Sequence, residues 1–138
     1  MPVSVKVLEI PSDVNSISEV EVFVDLMLQE RQINEDLYGN IMIALTEAVN
    51  NGIVHGNQSD PTKKVRIITE VDHDEKHLVS FKVEDEGPGF DYQTTTDPTT
   101  PDKISEEGGR GVFIIKQLAD RVYYHKNGSM VEMQFLLA

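Results

Sequence analysis

Residues 34–56, NEDLYGNIMIALTEAVNNGIVHG, restrict the possible folds more than any other stretch of the chain. Leu37, Ile41, Ala44, Leu45, Ala48 and Gly52 recur at the spacing of one helix face. Asn34 stands where a cap belongs, with Glu35 and Asp36 in the first turn, so a helix is expected to start there and to end near Gly56. A stripe of that length needs a second layer to cover it. Yet the later turns carry Glu47, Asn50, Asn51 and His55. At about 100° per residue Glu47 and Asn51 lie only about 40° apart, and His55 continues the line one turn later.

Such residues are ordinarily the half-exposed border of an amphipathic helix. A second reading starts from Asn50, Asn51, Gly52 and Gly56, poor helix formers that each cost up to about 1 kcal/mol against alanine. Local stability has then been exchanged for chemistry. A side-chain amide oxygen is a hard, neutral ligand suited to Mg²⁺. A carboxylate one turn earlier can orient and deprotonate a nucleophile that attacks a metal-bound phosphoryl group.

The covering layer comes from alternating segments. PVSVKVLEI near the start reads as an edge strand. Val65, Ile67, Thr69 and Val71 form one inward row and Val79, Phe81 and Val83 the next, with HDEK making a hairpin between them. RVYYHK-NG-SMVEMQFL reads as two strands around an Asn-Gly turn. Ser16 and Glu19 suggest a capping box ahead of a helix with Val20, Phe23, Val24, Met27 and Leu28. Residues 110–120, RGVFIIKQLAD, give a third helix. The order is strand, helix, helix, strand, strand, loop, helix, strand, strand. That order predicts an α+β two-layer sandwich with a mixed sheet, forming one domain over residues 1–138.

Composition narrows the function. A net charge of −12, from 24 acids and 12 bases, argues against nucleic acid as the main partner. The acidity serves solubility, or else it meets a basic protein partner. The chain has no cysteine, so thiolate metal sites and disulfides are excluded. No run approaches the about 18 apolar residues of a membrane span, and the N-terminus does not read as a signal peptide. The cytoplasm is the expected location.

Two glycine motifs remain. VEDEGPGFD, residues 83–91, carries a strand from Asp85 into Gly87-Pro88-Gly89, a sharp turn with exposed backbone. An aspartate there can accept a hydrogen bond from an exocyclic amine such as that of adenine; a plain acid-capped turn has the same pattern. EEGGRGVFIIKQLAD places Gly108, Gly109 and Gly111 before a helix, where free N–H groups favour an anion. A flexible loop end has that pattern too. Ile114 stands where a dinucleotide fingerprint needs glycine, and no Gly-Lys followed by Ser or Thr forms a Walker loop. His73 and His77 read as surface histidines of a hairpin. Residues 91–108, rich in Thr, Pro and acids, are too long and polar for an ordinary connection.

The ordered set of Glu-x-x-x-Asn at 47–51, DEGPG at 85–89 and EGGRGVFII at 107–115 resembles the GHKL ATPase superfamily. Within it, the set is similar to the small anti-sigma factor serine kinases of bacterial stress and sporulation switches. The resemblance implies the Bergerat fold, with a mostly antiparallel sheet, three main helices and a mobile ATP lid over 91–108. It implies Glu47 as general base, Asn51 as Mg²⁺ ligand and His55 beside the nucleotide. Asp85 would hold the adenine amino group, with Gly87 and Gly89 shaping the base pocket. Gly108, Gly109, Arg110 and Gly111 would meet the phosphates, and Ser129 would place a hydroxyl near adenine. Some relatives have a lid arginine where Glu107 stands here, so Arg110 or Lys103 would supply the positive charge.

The implied cofactors are ATP and Mg²⁺. The implied partners are an anti-sigma factor antagonist, phosphorylated on serine in a partner-switching system, and a sigma factor that is sequestered. A homodimer is expected on the same ground. A partner-capture module in which ATP only orders the lid is the rival, and a detached histidine-kinase-like ATPase domain a third reading.

Overall fold

The computed structural model describes residues 3–29, 33–72, 78–90 and 107–136. Five strands are present among them: β1 (Val3–Pro11), β2 (Lys64–Asp72), β3 (Leu78–Glu84), β4 (Arg121–His125) and β5 (Met130–Leu136). They form one sheet in the order β1-β2-β3-β5-β4. Helices α1 (Ile17–Gln29), α2 (Glu35–Asn51) and α3 (Glu107–Leu118) complete the described elements, with short helical turns at Val14–Ser16, Gly52–Gly56 and Lys126–Gly128. The α+β sandwich expected from the element order is therefore found.

All four described pairings are antiparallel, so the sheet is not mixed. The reason lies in the order. β4 follows β3 through α3 and runs parallel to it, but β5 inserts between them and is antiparallel to both.

Alternation decides which face is covered. Val65, Ile67, Thr69 and Val71 of β2 are all buried, as are Val79, Phe81 and Val83 of β3. All but Thr69 meet Val20, Val24 and Leu28 of α1 and Ile41, Leu45 and Ala48 of α2 in one cluster. Phe81 and Phe135 stack edge to face at 6.1 Å and 74°. The opposite face of the sheet carries charge instead: Arg66 bridges Glu9 and Glu84, and Lys82 meets Glu70 at 3.0 Å.

The ends of the helices differ from one another. Asn34 caps α2 as expected, its Oδ1 accepting from the Leu37 N–H at 2.7 Å. For α1 the capping box at Ser16 and Glu19 is not used; Asp13 accepts from the Asn15 N–H and starts a short 3-10 turn that runs into the helix. α2 does continue to Gly56, but through a π-helical turn over Gly52–Gly56. The Asn57 N–H closes that turn on the Gly52 carbonyl at 2.8 Å. The connection between β4 and β5 is longer than a two-residue turn. His125 pairs with Met130, and Lys126, Asn127 and Gly128 all have positive φ.

Candidate functional site

Where α2 ends, β3 ends and α3 crosses, a cavity of about 240 Å³ opens. Ala48, Val83, Val112, Ile115 and Val131 make its walls apolar. Asn51, His55, Asp85 and Ser129 bring the polar groups. Apolar walls with few convergent polar groups are the usual make-up of a small-molecule site.

Asp85 is the chemical centre of this cavity. It follows β3, and its N–H donates to the Ser129 carbonyl at 2.9 Å, which ties it to the start of β5. The Gly87 N–H donates to Asp85 Oδ1 at 2.8 Å. Burial pushes its carboxyl above the usual carboxylate range; the Gly87 N–H opposes the shift and nearby Glu84 adds to it. A half-desolvated acceptor at the end of an apolar slot suits a flat base carrying an amine.

Backbone contacts hold this aspartate in place. A Cβ on Gly56 would lie 2.3 Å from Asp85 Cγ, and one on Gly87 would lie 2.1 Å from the Gly56 carbonyl oxygen. The π-helical turn and the strand end thus meet with only the Asp85 carboxyl between them. Gly89, at φ +85°, makes the same kind of approach to Asn127 O. The Phe90 N–H donates to that carbonyl at 2.9 Å.

Asn57 is a residue that the sequence motifs do not mark. It is fully buried. Its Oδ1 accepts from the Glu86 N–H at 2.7 Å, while Nδ2 donates to Ser12 Oγ at 2.8 Å and to the Lys64 carbonyl at 3.0 Å. One amide thus joins the ends of β1, α2, β2 and β3. Phe90 and Tyr124 were also missed. Their rings meet edge to face at 5.7 Å against the cavity, and burial raises the Tyr124 hydroxyl pKa. The alternation in RVYYH, which puts Tyr124 on the inner side with Val122, was the available signal.

Other motif residues are placed as follows. Asn51 and His55 line the cavity and Glu47 does not; it is half-buried on α2 one turn before Asn51. Gly108, Gly109, Arg110 and Gly111 stand inside the first turn of α3 rather than ahead of it. A Cβ on Gly111 would lie 2.1 Å from Asn51 Nδ2, so α3 begins directly against the α2 amide. That packing carries the helix through glycines that propensity alone would leave in a loop. Ser129 lines the cavity, its Oγ donating to the Lys126 carbonyl at 2.9 Å. Residues 91–106 of the expected lid, with Lys103, and the histidines at 73 and 77 lie outside the described residues. No cluster of three or more His, Asp or Glu able to hold a metal occurs among the described residues. No helix there is long and apolar enough to cross a membrane.

An antiparallel sheet covered on one face by helices, with a carboxylate and glycine turns at the mouth of an apolar cavity, defines an ATPase domain of the GHKL class. The family model for the histidine kinase-like ATPase domain matches residues 10–135, and the chain belongs to that family. It is similar to the serine-protein kinase RsbW of Staphylococcus aureus strains MSSA476 and MW2. Each is 26% identical over 134 residues, covering 91% of this chain and 82% of theirs. RsbW of strain JH9 matches to the same extent.

Proposed function

We propose that this chain is an ATP- and Mg²⁺-dependent protein serine/threonine kinase that also acts as an anti-sigma factor. In this reading it works as one cytoplasmic domain over residues 1–138, phosphorylates an anti-sigma factor antagonist and sequesters a sigma factor. The observation that carries the nucleotide half is Asp85, half-desolvated in an apolar cavity and locked by Gly56 and Gly87. The similarity to serine-protein kinases supports the kinase half.

The residues present fit the nucleotide. Asp85 would accept from the adenine amino group, and Ser129, whose carbonyl takes the Asp85 N–H, also lines the cavity. Gly89, packed on the Asn127 carbonyl, would line the base end of the cavity through its backbone. His55 and Asn51 both line the cavity, and the Asn51 amide oxygen would hold Mg²⁺. Gly108 and Gly109 would present free N–H groups of the first turn of α3 to the phosphates, with Arg110 on the same turn and Gly111 one residue further on. ATP held there would supply the phosphoryl group and leave as ADP, and Glu47 would take the proton of the accepting serine hydroxyl.

The position of Glu47 outside the cavity wall favours a second reading, a partner-capture module without phosphoryl transfer. One assay separates the two. Purified protein is given labelled ATP, Mg²⁺ and the antagonist encoded beside its gene, with Glu47→Gln as control. Label passing to the antagonist with the unmodified protein alone supports the kinase. Tight ATP binding with no label transferred leaves the capture module.

A further inference from the structure

Charge is divided unequally between the two layers. On the open face of the sheet Arg66, Lys82 and Lys126 pair with Glu9, Glu70 and Glu84. In α1 and α2 there is no lysine or arginine at all. Glu19, Glu21 and Asp25 on α1 and Glu35 and Asp36 on α2 make no ion pair among the described residues. Among the described residues the sheet face pairs its carboxylates with bases, whereas those of α1 and α2 have no basic partner.

Aliphatic side chains stand among those carboxylates. Val22 and Leu26 are 59% and 60% exposed, and Ile43 of α2 is 51% exposed. Val22 and Leu26 are neighbours one turn apart, about 160° round α1 from the buried Val20, Val24 and Leu28. Glu19 and Asp25 flank Val22 at three residues on either side, within reach of the same surface.

Ile43 joins that surface from the next helix. The Tyr38 hydroxyl donates to Asp25 Oδ1 at 2.7 Å and ties α2 to α1. Val22, Leu26 and Ile43 are thus all exposed on two helices that this hydrogen bond holds together. A charged coat for solubility requires no aliphatic row opposite the core. An anionic membrane or a nucleic acid would be repelled.

We propose that the outer face of α1 and α2, around Val22, Leu26 and Ile43, docks a basic amphipathic segment of a partner protein. Its aliphatic side chains would cover the row while its lysines or arginines meet Glu19, Asp25 and Asp36. This face is on the far side of the helices from the sheet, and its use does not depend on phosphoryl transfer.

The test uses the full chain without nucleotide and two synthetic peptides of identical leucine and lysine composition. One places leucines at i, i+3, i+4 and i+7 of a helix; the other scatters them. Titration calorimetry at low and moderate salt should show the amphipathic peptide binding about tenfold tighter or more, and more weakly as salt rises. Leu26→Asp and Glu19→Lys should each weaken it, with the circular dichroism spectrum unchanged. Val5→Asp, on the exposed edge strand, should not. Equal binding of the two peptides, no binding, or equal loss in Val5→Asp and Leu26→Asp would overturn the proposal.

Discussion

Around Phe81 and Phe135 the sheet and its helices meet through buried side chains, apolar apart from the Thr69 hydroxyl opposite Phe81. Around Asp85 the same sheet meets the end of α2 closely, with Gly56 against the Asp85 carboxyl and Gly87 against the Gly56 carbonyl, while Gly89 packs on the Asn127 carbonyl. The first end can exchange one aliphatic group for another at modest cost, because only volume and shape are constrained. The second end has no side-chain volume to exchange. Removing Cβ atoms brings polar backbone next to a cavity, so this end gains a place for a ligand and loses tolerance to substitution. The two ends should therefore fail differently when altered.

The largest effect is expected in the side-chain end. Phe81→Ala should lower unfolding free energy by about 3–5 kcal/mol, the cost of a large core cavity. The affinity of the molecules that remain folded for ATP should not change. Urea unfolding and calorimetry on one preparation read both quantities. Gly56→Ala should reverse the pattern. Its Cβ would have to displace the Asp85 carboxyl, 2.3 Å away, at about 1–3 kcal/mol of stability and with loss of measurable ATP affinity. Normal affinity in Gly56→Ala would mean that close approach does not build the site.

Asn57 sharpens the contrast because it belongs to neither end. Asn57→Ala leaves the Glu86 N–H without its acceptor and removes two donated bonds, so a loss of about 1–3 kcal/mol is expected. ATP affinity should fall as well, since Glu86 is next to Asp85 in the turn. A stability loss with unchanged affinity would make Asn57 a purely structural bolt. Circular dichroism melts alongside ATP titration distinguish these outcomes.

How far each region was legible in the sequence follows the same division. The side-chain end writes its rule locally: Val65, Ile67, Thr69 and Val71 alternate, and all four are buried. Asn34 announced the start of α2 because its cap partner is three residues away. The helical stripe likewise indicated an end near Gly56. Asn57 was illegible, since its partners Ser12, Lys64 and Glu86 come from three separate segments that only the fold assembles. The sequence alone puts the start of α3 too late for the opposite reason. Glycine propensity argues for a loop at 108–111, and tertiary packing of Gly111 on Asn51 overrides it. In the same way, the glycines around Asp85 were legible as a turn, but the approach to Gly56 that gives them their purpose was not.

Asp85→Asn should have the smallest effect on folding, and its sign is the informative part. The carboxyl pKa of Asp85 is raised in the folded state by burial, so the folded protein holds this proton more tightly than the unfolded chain. Stability should then decline as pH rises from the unfolded value of 3.8 through the higher folded value, as Asp85 ionises. Asparagine removes that cost while keeping an oxygen for the Gly87 N–H. The variant should thus be as stable as the parent at neutral pH or slightly more so, and the difference should close as the buffer becomes acid. Adenosine affinity should move the other way, falling about ten- to hundredfold at neutral pH, the worth of one charge-assisted hydrogen bond of about 1.5–3 kcal/mol. In the parent it should also weaken on acidification, as protonation takes away the charged acceptor. A variant that is clearly less stable at neutral pH yet binds adenosine normally would show that Asp85 is a structural link between β3 and the turn, with the base bound elsewhere.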